Sequence, residues 1–414
     1  MYRWDLRAFY EDFQSPAFRE DCEKLFAMTD ALLAYLEDGE AKKNAREYLE
    51  GLLKKEEELS ILSSRIFGFI HLHMAADTRN PEAREHLVRM QALTGKFALI
   101  DNKFKTHLAA IENLEEIIEK SPYLQEYEFL LAETKEELAH TMSAELEVLA
   151  SELRQNGSNL WSQLQRHMTS MAEIEFRGKK LSLTEIRNLA YSADPETRRE
   201  AYQKELEIYE RIEDAVAFAL AGIKGEVNTM VKHWKFATPL DEALFKSRLR
   251  KETLEALLSA MEESLPVFRK YLRHKAKLLG HGNGLPWYDL FAPLGKSEKK
   301  YTVEEAQEFI LKHFGSFSEE LKALAEKAFR NNWIDYLPRK GKVGGAFCSN
   351  NLALKESRIL SNFGGEIGDV ITLAHELGHA YHGEQIFKEA PLNTHYTMPV
   401  GETASNLCET IAKR

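Results

Sequence analysis

The stretch from 369 to 389 constrains the fold of this chain most, because it contains HELGH at positions 375–379, an H-E-x-x-H motif. Apolar residues recur around the motif at spacings of three and four, which predicts a helix. On a helix, His375 and His379 lie one turn apart on the same side, where two neutral imidazoles can hold one zinc ion. Glu376 can then reach a water molecule in the open coordination position. The motif therefore predicts a metal site on a helix.

The motif alone also permits a surface helix with two solvated histidines. Gly378 argues against that alternative, because a glycine inside a helix costs about 1 kcal/mol relative to alanine. Its presence indicates that something needs the helix backbone close at this position.

The third metal ligand is expected to be Glu402, near the start of a second predicted helix at 400–410. His382 lies on the same face as the motif, but three ligands spread over two turns of one helix, about 10 Å, would be strained. The longer H-E-x-x-H-x-x-G-x-x-H pattern also fails, because 382 is not glycine and 385 is not histidine. Cys348 could complete a Cys-His-His site, although a lone cysteine is more often a small buried apolar residue.

Two further residues are expected to support the ligands without binding the metal. Glu409 follows Glu402 by two helical turns on the same face, and a carboxylate there can orient a metal-bound histidine. A solvated acid is the alternative for Glu409. His382 is assigned a similar supporting position.

HELGHAYH, followed by ETASNLCET from position 402, resembles the thimet oligopeptidase and oligoendopeptidase F family of zinc peptidases. The resemblance continues upstream through LDEALFKSRL (240–249), WYDLFAP (287–293) and GKVGGAFCSN (341–350), and covers most of residues 110–414. It implies a mainly α fold, with a small β-sheet beside the H-E-x-x-H helix in a zincin-type catalytic lobe. It also implies a deep channel that admits short peptides.

The resemblance assigns roles to four residues. His375, His379 and Glu402 match the family's ligands to one zinc ion, and Glu376 matches its general base. Zinc at such a site lowers the pKa of a bound water and polarises a peptide carbonyl, and Glu376 would move the proton to the leaving amine. We therefore expect an endopeptidase that hydrolyses internal bonds of short oligopeptides.

The chain divides into two expected domains. Residues 1–190 contain few prolines and show apolar residues at helical spacing, as in 127–154, which predicts long antiparallel helices. We expect this part to cover the substrate channel and residues 191–414 to form the catalytic domain.

Several helix starts are marked in the sequence. Ser182 with Glu185, and Thr302 with Glu305, fit capping boxes. Asp194-Pro195 predicts an N-cap with proline at the first helical position of a helix over 195–235, and the segment 238–240 is expected to be a turn.

Glycine becomes frequent after residue 338. GKVGGAFCSN is a candidate edge strand, and Gly344, Gly345 and Ala346 are expected to contact the main chain of an extended peptide. A bulge or tight bend is the alternative. A second strand is predicted at 357–363, followed by a glycine turn into the motif helix.

Composition excludes some functions. The net charge is −11 with no basic block, which argues against nucleic-acid or anionic-membrane partners. No apolar run approaches about 18 residues, so we expect no membrane span. The three cysteines are widely separated and the first residues do not resemble a signal peptide, so a reducing, cytoplasmic location is expected.

Two other functions remain open from the sequence. One is an inactive helical scaffold or binding protein with a relic metal motif. The other is a zinc amidohydrolase of the deformylase type using Cys348, although such chains are short and rich in strands. Members of the resembled family continue well beyond the position of Arg414, through tyrosines and a histidine that contact substrate. We therefore expect a fragment, and hydrolysis by these 414 residues alone stays open.

Overall fold

The computed structural model describes residues 2–39, 41–295 and 299–414, and most of them are helical. The first helices are α1 (Pro16–Glu37), α2 (Ala45–Ala76), α3 (Pro81–Gln91), α4 (Thr94–Ala109), α5 (Leu114–Glu119), α6 (Pro122–Glu126), α7 (Glu128–Glu137), α8 (Ala144–Asn156) and α9 (Ser158–Met171). They are followed by α10 (Leu183–Asn188), α11 (Pro195–His233), α12 (Pro239–Lys246), α13 (Lys251–Leu278), α14 (Val303–Gly315), α15 (Glu319–Arg330), α16 (Ile367–Ile386) and α17 (Met398–Ala412). The mainly α prediction is confirmed.

Two small sheets accompany the helices in the described part of the chain. Strands β1 (Glu173–Phe176) and β2 (Lys179–Ser182) form an antiparallel hairpin that the sequence did not reveal. Strands β3 (Ile334–Asp335), β4 (Phe347–Asn351) and β5 (Glu356–Leu360) form the second sheet in the order β3-β5-β4. β5 pairs parallel with β3 and antiparallel with β4. Because β5 also packs against α16, the predicted sheet beside the motif helix is confirmed.

The glycine-rich segment differs from the prediction of a strand over 341–350. Only β4 at its end is a strand, and residues 344–346 lie before it in a bend. Gly345 has φ +80°, a left-handed conformation that interrupts a strand and that glycine adopts without steric penalty. The bend alternative is therefore correct for the two glycines, and β4 is an edge strand as expected.

Three apolar cores hold together the elements that the structure describes. The first lies among residues 4–131 and includes Leu360 of β5, so the sheet is attached to the N-terminal helices. The second lies among residues 303–412 and surrounds α16. The third joins the β1–β2 hairpin to α10 and α11.

Most helix starts follow the predicted chemistry. Both capping boxes are present, and the Asp194 side chain accepts hydrogen bonds from the first backbone N–H groups of α11. The turn predicted at 238–240 is wrong, because the Thr238 side chain caps the start of α12.

The segment 127–154, which shows apolar residues at helical spacing, forms two helices with a break between them. α7 ends at Glu137, a short 3₁₀ turn follows, and α8 begins at Ala144. At the break, the Met142 N–H donates to Glu147 and its carbonyl accepts from Asn102. These side chains satisfy the backbone groups that a continuous helix would have paired internally.

The expectation that no stretch is apolar enough to span a membrane needs correction. α2 is long and apolar enough to cross a membrane, and 28% of its most apolar 18-residue stretch is buried in the protein. Helices in the core of a protein can be equally long and apolar. α2 contributes buried residues along its length to the first core. The absence of a membrane partner therefore stays a prediction.

Candidate metal centre

The candidate site lies where α16 crosses α17. α16 begins with a capping box formed by Glu366 and Asp369, directly after the glycine turn. A Cβ atom on Gly378 would lie 2.6 Å from Ser405 Cα and 2.7 Å from the Ala404 carbonyl oxygen. The close backbone approach predicted from Gly378 is therefore confirmed, and the neighbouring backbone belongs to α17.

This crossing brings the three predicted metal donors together. Glu402 Oε2 lies 3.2 Å from His375 Nε2 and 3.4 Å from His379 Nε2. One donor atom from each residue lies within 4.8 Å of the others, and no other such group occurs among the described residues. Tetrahedral zinc with bonds of about 2.0–2.2 Å separates its donors by about 3.3–3.6 Å. The donor chemistry and spacing therefore fit one zinc ion.

Glu409 contacts one of these histidines. Its Oε2 lies 3.1 Å from His375 Nδ1, so the other ring nitrogen faces Glu402. The pKa of Glu409 is lowered by hydrogen bonds from Lys413 and from His375. A carboxylate on the far nitrogen of a ligand histidine fixes its ring and tautomer. The structure thus places Glu409 where the sequence expected it.

Glu376 lies near enough to Glu402 in this site for the two carboxylates to repel each other. Its side chain is only 6% exposed, and its Oε2 atom is buried without a hydrogen-bond partner in the protein. Burial, with a smaller contribution from the Glu402 charge, raises the pKa of Glu376 to about 7. A buried carboxylate oxygen without a partner fits a residue that handles a water or substrate proton.

The alternative ligands lie outside this group. His382 packs against Tyr396 with ring centroids 4.6 Å apart, and its Nδ1 has no partner. Its supporting role therefore stays a prediction. Cys348 donates to Asn350 at 3.5 Å, and burial followed by the Glu376 charge raises the pKa of its thiol. The Cys-His-His arrangement is not formed.

Asn350 is a site residue that the sequence reasoning missed. Its Nδ2 donates to the His379 carbonyl at 3.2 Å, and its Oδ1 accepts from Ser357 at 2.7 Å. A Cβ on Gly383 would lie 2.4 Å from this side chain, so β4 and α16 are tightly apposed. An asparagine pair in a predicted strand was the available signal, because asparagine is depleted in strands.

The segment 344–346 lines a cavity of about 870 Å³ together with Thr372, one turn before His375 on α16. Asn362 Nδ2 holds the segment by donating to the Val343 carbonyl at 3.0 Å and the Gly345 carbonyl at 2.7 Å. The predicted peptide-contacting residues are therefore fixed beside the motif helix.

Buried Lys342 anchors the glycine segment through a second set of contacts. Its Nζ donates to Asp335 Oδ1 at 2.7 Å and to the Leu337 carbonyl at 2.9 Å. Burial lowers the pKa of Lys342 to about 8, although the Asp335 charge opposes the shift. This ion pair ties the glycine segment to β3.

A mainly helical chain with an H-E-x-x-H helix and a glutamate from the next helix has the features of a zincin-type metallopeptidase. Sequence comparison then gives the family. The model of peptidase family M3 matches residues 188–414, more than half of the chain, and that of oligopeptidase F matches 110–176. The chain belongs to peptidase family M3, as the sequence resemblance implied.

Individual relatives are distant but span most of the chain. Oligopeptidase PepF of Bacillus subtilis is 25% identical over 378 residues, which are 89% of this chain and 56% of that protein. Group B oligopeptidase PepB of Streptococcus agalactiae is 23% identical over 99% of this chain and 69% of its own length. The chain thus spans little more than half of the Bacillus subtilis relative.

Solved structures share the fold. The crystal structure of oligoendopeptidase-F from Enterococcus faecium has a TM-score of 0.63 and 19% identity, and the match covers 95% of this chain and 66% of that one. The structure of PZ peptidase A with inhibitor 2 has a TM-score of 0.75 at 18% identity, and the match covers 94% of this chain and 67% of that one.

Proposed function

We propose that this chain carries the metal centre of a zinc-dependent oligopeptidase that hydrolyses internal bonds of short peptides. The observation that carries the proposal is the convergence of His375, His379 and Glu402 within 4.8 Å. Membership of peptidase family M3 and the names of the relatives support the same substrate class.

Each residue has a defined task in this proposal. His375, His379 and Glu402 would hold one zinc ion, which when bound supplies a Lewis acid and a water of lowered pKa. Glu376 accepts the proton of the attacking water and passes it to the leaving amine. Glu409 keeps His375 in the tautomer whose Nε2 faces the metal side.

The peptide main chain is proposed to bind along β4 and the segment 344–346. β4 is an edge strand, and an extended peptide can add to such an edge through main-chain hydrogen bonds. The bond from Asn362 to the Gly345 carbonyl would keep that part of the surface in place. We further propose a reducing, cytoplasmic location, on the basis of the three unpaired cysteines.

Measurements of metal content test the proposed zinc ligands, and measurements of peptide hydrolysis test the role of Glu376. We expect one zinc per chain by elemental analysis, loss of zinc in His379→Ala, and retained zinc in Glu376→Gln. An internally quenched peptide should be cleaved by the parent chain, and Glu376→Gln should abolish that cleavage. A chelator should abolish cleavage, and adding zinc back should restore it.

Two results would contradict the proposal. Normal turnover by Glu376→Gln would exclude this carboxylate as the base. Absence of zinc from a chain with intact helical circular dichroism would favour the scaffold alternative.

A further inference from the structure

A second cavity, of about 1000 Å³, lies at the other end of α16 from the segment 344–346. Gly383, Asn350 and Tyr396 form its wall on the metal side, and Asn350 itself donates to the His379 carbonyl. α2, α4 and α7 of the N-terminal region form the opposite wall. Gly383 lies one helical turn, about 5.4 Å, beyond His379, so the cavity begins within reach of a peptide bound at the proposed metal centre.

The cavity wall is mainly apolar, and its described lining residues include four acidic side chains, one arginine and His395. The acidic residues are Glu56, Asp101, Glu133 and Glu137, and the arginine is Arg248. An apolar wall with few charged groups is the usual composition of a binding pocket that selects for particular ligand groups.

Three of the four carboxylates already have a countercharge. Lys105 Nζ lies 2.7 Å from Asp101 and 2.9 Å from Glu137, and Arg248 pairs with Glu133. Glu56 has no hydrogen bond or ion pair to any residue that the structure describes. It is therefore the carboxylate in this cavity that is left for a ligand.

The surroundings of Glu56 make its isolation unfavourable. Burial, followed by repulsion from Asp101, raises the pKa of Glu56 to about 8. A carboxylate in an apolar pocket without a partner is destabilised in its charged form, and a cation beside it removes that penalty.

We propose that this cavity is a subsite for a positively charged group of the peptide substrate, with Glu56 as its countercharge. The group is an ammonium, from either a lysine side chain or the free amino terminus. The apolar residues around Glu56 would contact the methylene groups of the ligand. The inference rests on the proposed peptidase function and adds a substrate preference to it.

Peptide binding without hydrolysis tests the subsite. The zinc-loaded Glu376→Gln chain is titrated with three peptides of equal length and amidated carboxyl termini. One is acetylated and contains lysine, the second has norleucine in its place, and the third has norleucine and a free amino terminus. We expect one or both cationic peptides to bind about tenfold more tightly than the neutral one. The tighter cationic peptide identifies the source of the ammonium.

Substitutions at Glu56 and at a control position then test whether Glu56 causes the preference for cationic peptides. Glu56→Gln in the same background should remove the difference between cationic and neutral peptides. Glu58→Gln, at an exposed position two residues along α2, should preserve it. The melting temperature of Glu56→Gln should stay close to that of its parent, because Glu56 makes no hydrogen bond or ion pair with a described residue that the substitution would remove.

The outcomes separate the subsite from the peptidase function. Equal binding of all three peptides would overturn the subsite and leave the peptidase proposal standing. A large fall in the melting temperature of Glu56→Gln would overturn it too, because Glu56 would then be structural. A zinc-free chain, or a zinc-loaded chain that binds none of the peptides, would overturn both.

Discussion

Helices α16 and α13 both repeat apolar residues at helical spacing, but they have opposite environments. α16 buries most of its apolar residues, and Leu373, Ala374 and Leu377 have no exposed surface. α13 repeats apolar residues at helical spacing over 28 residues, yet eight of its large apolar side chains from Leu257 to Leu278 are 42% to 69% exposed. Periodicity therefore predicts that a segment is helical and which face is apolar, but not whether that face is covered.

The difference lies in what crosses each helix. Gly378 lets the α17 backbone approach α16 until no Cβ would fit between them, and β4 and β5 pack on other sides of the same helix. This enclosure fixes His375 and His379 relative to Glu402. Metal sites need such support, because misplaced donors lose affinity. α13 presents no comparable enclosure among the described residues.

The largest effect is expected from Leu373→Ala. Removing a fully buried leucine from the core around α16 should lower the free energy of unfolding by about 2–5 kcal/mol. Urea denaturation followed by circular dichroism measures this change. A loss below about 1 kcal/mol would show that the α16 face is less tightly packed than the structure indicates.

Gly378→Ala should act on packing and metal binding together. The added Cβ would lie 2.6 Å from Ser405 Cα, so the two helices must separate. We expect a loss of about 1–3 kcal/mol in stability, together with weaker zinc binding because α17 carries Glu402. Gly225→Ala is the matched control, because its Cβ would meet nothing within 4 Å. That variant should be unchanged or slightly more stable.

If Gly378→Ala and Gly225→Ala behaved alike in both unfolding and zinc titration, the close crossing would not exist in solution. If stability fell while zinc affinity stayed constant, the position of Glu402 would be independent of the crossing. Competition with a chromophoric chelator provides the zinc affinity.

Glu409→Gln should act on the metal with little effect on the apo fold. Losing the carboxylate on His375 Nδ1 is expected to weaken zinc affinity about 10–100-fold. Lys413→Met is the control, because it removes the other partner of Glu409 and leaves the contact with His375. An equal loss of affinity in both variants would assign the effect to general electrostatics rather than to ring orientation.

Local chemistry explains which features could be predicted from the sequence. Helical spacing and donor type are enough to predict the motif helix, Glu402 as the third metal donor and the position of Glu409. The capping boxes depend on residues three apart. By contrast, the break after α7 depends on Asn102, which is distant in sequence. The role of Asn350 likewise depends on the contact between β4 and α16, which periodicity does not encode.

The smallest effect is expected from Leu258→Ala on α13, which tests the other side of the comparison. This side chain is 49% exposed, and substitutions at such sites usually change stability by less than about 0.5 kcal/mol. Alanine also has the highest helix propensity, so the local helix should not weaken. A loss above about 1 kcal/mol in the same urea assay would mean that the α13 stripe is covered in solution. If that loss grew with protein concentration, a second copy of the chain would be covering it, because self-association makes stability depend on concentration.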